Sequence, residues 1–517
     1  FSGGASGIYL KGNPNIPSAS TQISSNAFGT SGLNEQTRRG IFLSDQKKGR
    51  VTNVRFNTIV SEAGNGNYKA GIELKDSKGT IRVDQNDVEV GNNGIVLDEL
   101  NAAGGEIVNN EITLLTARNA VGLKLDKVKN LQVYHNSVNV TAEADDFGTN
   151  VAFRARNDNS GSKVKNNLFV AEASKAMNVD KGGTLTLGHN GLYTRGPVLV
   201  HYNGTDYSDL HGYRGQTTSP DQGTGSVFAL PAFLSKTDLT PESPFVDDEG
   251  EDVGVSSDIE GNSRGASPSL GAHEFTAPKG KLTKDTYTVG GSSPDYDNLY
   301  KAIEALKTRG VAGNALAIPP IAGLRSTTRG ATFRSVSGDS TDVIVKASGD
   351  NQSEPLRLFG VDNVNFEQLT FRATSSADND AVRAVYLKSR LRNVNFYNVR
   401  FQSHPGDKDE KQVGLFGERG SITQVNVVDC SFGGGASGVY LAENSNTYTS
   451  SVVFDSNDFG TGSLEDQTRY GIRLRNQGAP RFIGAIVERN RIVSDAPTGD
   501  FKAAIKLKDS GGEPLVR

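Results

Sequence analysis

Short alternating segments recur along the chain. Each reads glycine, apolar, variable, apolar: Gly7-Ile-Tyr-Leu10, Gly40-Ile-Phe-Leu43, Gly71-Ile-Glu-Leu74, Gly94-Ile-Val-Leu97 and Gly122-Leu-Lys-Leu125. They stand 23 to 33 residues apart. Between them an asparagine precedes a further alternating stretch, at Asn26, Asn57, Asn86, Asn110, Asn136, Asn167 and Asn190, with spacings of 23 to 31. Side chains that alternate with period two belong to strands. Each rung therefore predicts two or three strands of about 3–5 residues.

The rungs repeat the same order of strand types, and regular Asn-Gly or Asp-Gly two-residue turns are missing between them. Hairpins would need such turns. The pattern predicts like stacking on like, an all-β parallel β-solenoid whose coils pair at about 4.8 Å. Asparagine suits the bend because it tolerates the left-handed region and its amide can bond the next coil. Glycine ahead of Ile or Leu is expected to make a tight corner with positive φ. The Asn and Gly rows are read as scaffold ladders, not as a site. Phe28, Phe56, Phe169, Phe366, Phe371, Phe396 and Phe401 are expected to be core stacks.

A longer repeat lies over the short one. FSGGASGIYL (1–10) returns as FGGGASGVYL (432–441), and SSNAFGTSGLNEQTRRGIFL (24–43) as DSNDFGTGSLEDQTRYGIRL (455–474). YKAGIELKDSKG (68–79) matches FKAAIKLKDSGG (501–512). The register is 431 residues, then 433 after an insertion near Ala479 and Pro480, and about 24 of the first 46 aligned positions are identical. A unit of roughly 430 residues is thus repeated in tandem, and the chain is expected to be a window onto a longer protein.

Residues 1–275 are expected to be the later part of one module, including its cap at 238–275. Residues 276–284 (TAPKGKLTK) form a short Pro/Lys linker, and 285–517 begin the next module. A capping helix is predicted over about 294–309, with Ser293 as N-cap, Pro294 at the first helical position and Gly310 as terminator. Leu299, Ile303 and Leu306 would share its apolar face. At about 27 residues per coil, one module makes roughly 14 coils, or about 65–70 Å.

The stretches NVNFEQLTFRA (363–373) and NVNFYNVRFQS (393–403) resemble coils of the right-handed parallel β-helix superfamily, of the pectate-lyase-like kind. The resemblance covers most of the chain and implies the fold, right-handedness included, rather than a chemistry. The TYTVGG and PDY start near 286, with Asp258-Ile-Glu-Gly261 and Gly271-Ala-His-Glu-Phe275 in the tail, looks like tandem-repeat surface proteins of Bacteroidota. That resemblance implies secretion.

Composition narrows the functions. With 60 Gly, 35% hydrophobic residues and mean hydropathy −0.44, the core must be thin and elongated. Net charge −4 gives no basic footprint for nucleic acid. No apolar run approaches the ~18 residues of a membrane span. Cys430 is the one cysteine, so no internal disulfide forms, and no Cys/His spacing suits zinc.

The enzyme motifs fail in the same way. Trp is absent, as are the GHG and RIK motifs that galacturonan hydrolases share. No nucleophile elbow or phosphate loop appears. Asp145-Asp146 is the best carboxylate pair in the solenoid but reads first as a solvated loop, since adjacent strand residues face opposite sides. Asp247, Asp248, Glu249, Glu251, Asp252 and Asp258 form an acidic tail cluster. A solvated loop is its first reading; Ca²⁺ held by Asp247, Asp248, Asp252 and Asp258 is the second. No other cofactor is expected. His135 is expected at the surface with its hydrogen bonds satisfied.

These observations lead to a structural expectation. The chain would be a segment of a giant secreted protein forming an extracellular cell-surface fibre or adhesin. It could self-associate into a bundled appendage of a gliding or predatory bacterium, with glycan or cell-surface targets. The alternatives are a polysaccharide-binding or polysaccharide-degrading β-helix protein and a phage-type tail fibre, against which the tandem modules count.

Overall fold

The computed structural model describes residues 6–12, 20–29, 39–45, 51–61, 70–115, 120–141, 150–171, 174–181, 184–194, 196, 198–207, 210–214, 222–282, 287–289, 293–297, 299–309, 331–335, 339–341, 343–348, 352–374, 381–403, 412–418, 422–442, 452–460, 470–475, 483–493, 503–508 and 513–516. The chain falls into two compact units, Phe1–Ala322 and Gly323–Arg517.

The first unit is a β-solenoid with three parallel sheets. Seven consecutive coils, from the strand Ser6–Lys11 to the strand Gly191–Thr194, each give one strand to each sheet. The alternation seen in sequence places one column of side chains inside: Ile41, Ile72, Ile95, Leu123, Phe153, Met177 and Val200 are successive partners in the first sheet. All seven are buried. Because each coil meets only its neighbours, a continuous core forms from side chains no single coil could bury.

In the first sheet the parallel stack ends at Val200–Tyr202, which pairs antiparallel with Thr205–Tyr207, while the third sheet adds one more parallel strand, Val227–Phe228. The short helix α1 (Leu210–Arg214) follows. Tyr213, fully buried, packs edge-on against Tyr202 at 5.6 Å and against Tyr207 at 5.8 Å. Three tyrosines and an antiparallel strand thus cover the last strand edge of the first sheet. The tail, residues 238–275, lies along the flank of the coils.

The second unit is also a parallel β-solenoid, with a 12-stranded and a six-stranded sheet among the described residues. Its interior is aromatic. Phe401 and Phe432 stack at 4.6 Å, Phe432 and Phe459 at 4.5 Å, and Phe366 and Phe396 at 5.3 Å.

Two helices occur among the described residues. The second, α2, spans Leu299–Arg309, so it starts five residues later than Pro294. Ser293 has φ 67°, outside the conformation an N-cap adopts. The cause lies just upstream. Asp295 accepts from the Thr288 amide at 2.9 Å, and the amides of Asp295 and Tyr296 return to Thr288 at 3.0 Å. These bonds tie Thr288 to Asp295 and Tyr296 ahead of the helix. Gly310 lies outside the described residues. The Thr308 carbonyl accepts from the Ser243 hydroxyl at 2.9 Å, so α2 is bonded to the tail.

Candidate functional site

The corner between the second and third sheets is two residues long, and both have a task. The first takes the left-handed conformation: Ser25, Phe56, Gln85, Asn109, His135, Asn166 and His189 have φ between 48° and 58°. The second is the asparagine. The left-handed conformation therefore belongs to the residue before the asparagine, and the amide is what the asparagine supplies. Asn86 shows the arrangement. Its backbone N–H donates to Asn110 Oδ1 at 3.0 Å, and its Nδ2 donates to the same oxygen at 2.9 Å. Nδ2 also reaches the carbonyls of Val54 and Asp84. The structure places Asn26, Asn57, Asn86, Asn110, Asn136, Asn167 and Asn190 in one such ladder, which ends on the Ser226 hydroxyl, 3.1 Å from the Asn190 amide. Each rung satisfies a backbone N–H that has no strand partner.

The glycine row has a different cause from the one expected. Gly7, Gly40, Gly71, Gly94 and Gly122 lie at or within strands of the first sheet and do not have positive φ. What they lack is room. A Cβ on Gly122 would stand 2.1 Å from Val138 Cγ1 and 2.7 Å from the Ala152 carbonyl oxygen. The third sheet presses its side chains against this row. Phe56 is likewise not in the core: it occupies the outward left-handed position, is 47% exposed and lies under the Arg55 guanidinium at 4.8 Å.

The outward left-handed row carries the tail. From Gln85 to His189 every member is polar, and these side chains meet residues 251–271. Gln85 Nε2 donates to the Asp258 and Ile259 carbonyls, and Asn109 Nδ2 to the Ser257 carbonyl. Asn166 exchanges bonds with the Glu251 backbone, and Glu251 pairs with Lys165 and His189. His135 is fully buried here, not at the surface. Burial first, and the Arg264 charge second, push its pKa well below the usual histidine value.

Arg264 is the hub of this strap. Its side chain is 1% exposed. It pairs with Glu274 at 3.0 Å and donates to Asn109 Oδ1, Gly271 O and Ala272 O. On the outer face of the third sheet, Glu111 Oε1 accepts from His273 Nε2 at 2.7 Å and from the Leu239 amide at 3.1 Å. Burial opposes protonation of His273, but the Glu111 contact carries its pKa above the ordinary value. Neighbouring Asp87 is pushed up to about 6 by burial, with Glu111 and Glu89 adding to it. Phe245, Val246 and Leu270 of the strap pack on Leu168, Val227 and Ala229.

The acidic tail residues are distributed among separate bonds. Asp258 accepts from the amides of Glu260, Asn262 and Glu274 and from Asn262 Nδ2, all within 3.0 Å. Burial would raise its pKa, yet these bonds hold it below the ordinary value. Asp247 accepts from Ala277 N, and Asp252 from Gly254 N. Asp248 has φ 56°. Among the described residues the one grouping with metal-ligand spacing is Asp258, Glu260 and His273. It does not include Asp247, Asp248 or Asp252, and its Asp258 oxygens and His273 Nε2 are engaged as above. Asp145 and Asp146 lie outside the described residues. On the outer face of the first sheet, both ring nitrogens of His201 are held by carboxylates, Asp206 at 2.5 Å and Asp180 at 3.0 Å.

Neither Arg264 nor the αL row was singled out in the sequence. The available signal was the unbroken polar run at the position before each asparagine from Gln85 to His189, after the apolar Phe56. No protein-family model, characterised protein or solved structure matches the chain.

Proposed function

We propose that the chain is a structural segment of a secreted cell-surface fibre or adhesin, built from tandem right-handed parallel β-helix modules of the pectate-lyase-like kind. The Bacteroidota-type origin and any bundling into an appendage belong to the same proposal. The observation that carries it is how the two copies of the repeat differ on the outer face of the first sheet.

In the first copy, Tyr9 stacks on Phe42 at 4.8 Å, Arg39 lies over Phe42 at 4.4 Å, and Arg39 pairs with Glu73. In the second copy the corresponding residues are Tyr440, Tyr470, Arg473 and Lys506. Arg473 now lies over Tyr440 at 4.4 Å and Tyr470 at 5.2 Å, and Lys506 over Tyr470 at 4.9 Å. Cation and ring have exchanged places, and Glu73 has become a lysine. A site that recognises a charged substrate depends on the sign of its charges. A face that only has to pack depends on contact, and contact is what persists. Inward positions hold their identity meanwhile: Gly7 and Gly438, Phe28 and Phe459, Asn26 and Asn457, Asn57 and Asn490.

Repetition supports the same reading, because linked copies multiply reach and valency. The test is the length of the native chain, by denaturing gel with peptide mapping. Hundreds of kilodaltons, with peptides from many similar modules, is the expected result. A band near the mass of one module, with release of unsaturated or reducing sugars from acidic glycans, would replace this reading with an enzyme.

A further inference from the structure

A cavity of about 540 Å³ opens beside α2 in the first unit, within the ~300–1,000 Å³ range of small-ligand sites. Tyr287 and Tyr296 line it, with ring centroids 5.7 Å apart and planes at 38°. Three acidic and three basic side chains share the wall, so their formal charges cancel. Several are already engaged within the protein. Lys301 pairs with Asp297, Asp295 accepts from Thr288, and Arg309 donates to the Gly280 carbonyl and the Tyr296 hydroxyl. An anionic ligand would meet three carboxylates, and two of the three cations, Lys301 and Arg309, already have acceptors. An uncharged ligand with a flat apolar face and a rim of hydroxyls fits better: the face lies on a tyrosine ring, and the hydroxyls donate to carboxylates or accept from ammonium groups.

We propose that this cavity binds an uncharged pyranose unit of a glycan chain. The inference rests on the fibre reading for one feature only, that the cavity recurs once per module and gains avidity by repetition. The ring contact sets the affinity, and the paired charges orient the hydroxyls.

The test is calorimetry on the full chain with chitohexaose and laminarihexaose as neutral probes and hexagalacturonate as the acidic one. At least one neutral probe binds, and Tyr287→Ala and Tyr296→Ala each weaken it about tenfold or more, whereas Tyr296→Phe, which keeps the ring, stays within about twofold. Should an alanine variant lose the wild-type melting curve, a photoreactive derivative of the bound oligosaccharide decides on the unaltered chain. It is expected to label the tryptic peptide 285–301, which carries both tyrosines. Failure of both neutral probes, binding indifferent to the tyrosines with labelling elsewhere, or preference for hexagalacturonate would each overturn the proposal. Loss of sugar binding in a native chain of many modules would sink this inference and leave the fibre intact.

Discussion

The same two-residue corner is built in two ways in this molecule. In the coils from Asn26 to Asn190 its second residue is an asparagine, and amides stack into a ladder. In the second unit the corresponding residues are Leu369, Val399 and Cys430 before asparagine returns at Asn457 and Asn490. The left-handed residue is retained throughout, at Gln368, Asn398, Asp429 and Ser456. So the turn conformation does not require asparagine. What asparagine adds is an acceptor for one buried N–H per coil. Val399 offers Leu369 none, and phenylalanine columns fill that part of the core instead. Cys430 is the transition: its N–H donates to Asn457 Oδ1 at 2.9 Å, while its sulfur accepts from Val399 N at 3.4 Å. The flanks differ too. In the first unit the strap lies against the left-handed row from Gln85 to His189.

The largest effect should come from removing the hub of the strap. Arg264→Ala leaves Glu274 half of a buried pair and should cost about 3–5 kcal/mol. Hydrogen exchange should quicken across 238–275 while the phenylalanine coils of the second unit keep their protection. Equal loosening of both units would erase the distinction between the strapped flank and the phenylalanine coils.

Next comes the ladder itself. Asn110→Val imports the second unit's corner into the first, strands the Asn86 backbone N–H and takes the Asn110 amide away from the Val83 and Val108 carbonyls. At about 1–3 kcal/mol for each unsatisfied group, the net loss should be roughly 2–4 kcal/mol by denaturant melting. A neutral result would mean that the apolar corner is available to any coil.

A smaller effect concerns pH at the strap seam. Folded Asp87 keeps its proton up to about 6, above the ~3.9 of an unfolded aspartate. Its contribution is therefore present in acid and is lost as pH rises through about 6. Asp87→Asn stays neutral throughout, so its stability relative to wild type should rise by roughly 1–2 kcal/mol between pH 4 and pH 7, allowing for the partial exposure of the site. His135 runs the other way: its pKa lies below the usual value, so its contribution is present above about 6.5 and declines as pH falls. Melting curves of the wild type and of Asp87→Asn across this range separate the two groups, since the variant keeps the His135 dependence and loses that of Asp87.

The smallest effect sharpens the comparison in reverse. Cys430→Asn extends the amide ladder by one rung toward the second unit's start. It should leave stability unchanged or raise it by up to about 1 kcal/mol. The wild-type thiol, buried and with its pKa pushed up to about 12, should resist alkylation until the coil opens. A destabilised Cys430→Asn would show that sulfur is there for packing alone.

The solenoid was legible because its signal repeats: period-two alternation, one asparagine per coil and like residues in register carry the fold with no long-range inference. The reasons behind single residues were less legible. Gly122 and its row were attributed to φ, when the cause is Val138 from another strand, which a linear pattern does not reveal. An aromatic residue such as Phe56 is expected inward, but its position one residue before Asn57 turns it out. His135 was assigned to the surface because the strap that buries it folds back from more than a hundred residues later in the chain. Arg264 was missed for the same reason, since its partners Asn109 and Glu274 converge only through the strap.

The most direct test of the account is electron microscopy of the native molecule with axial diffraction. The account predicts an elongated particle with the ~4.8 Å repeat of stacked coils along its axis and a regular succession of solenoids about 65–70 Å long, one for each copy of the sequence repeat. A compact particle holding a single solenoid would contradict it.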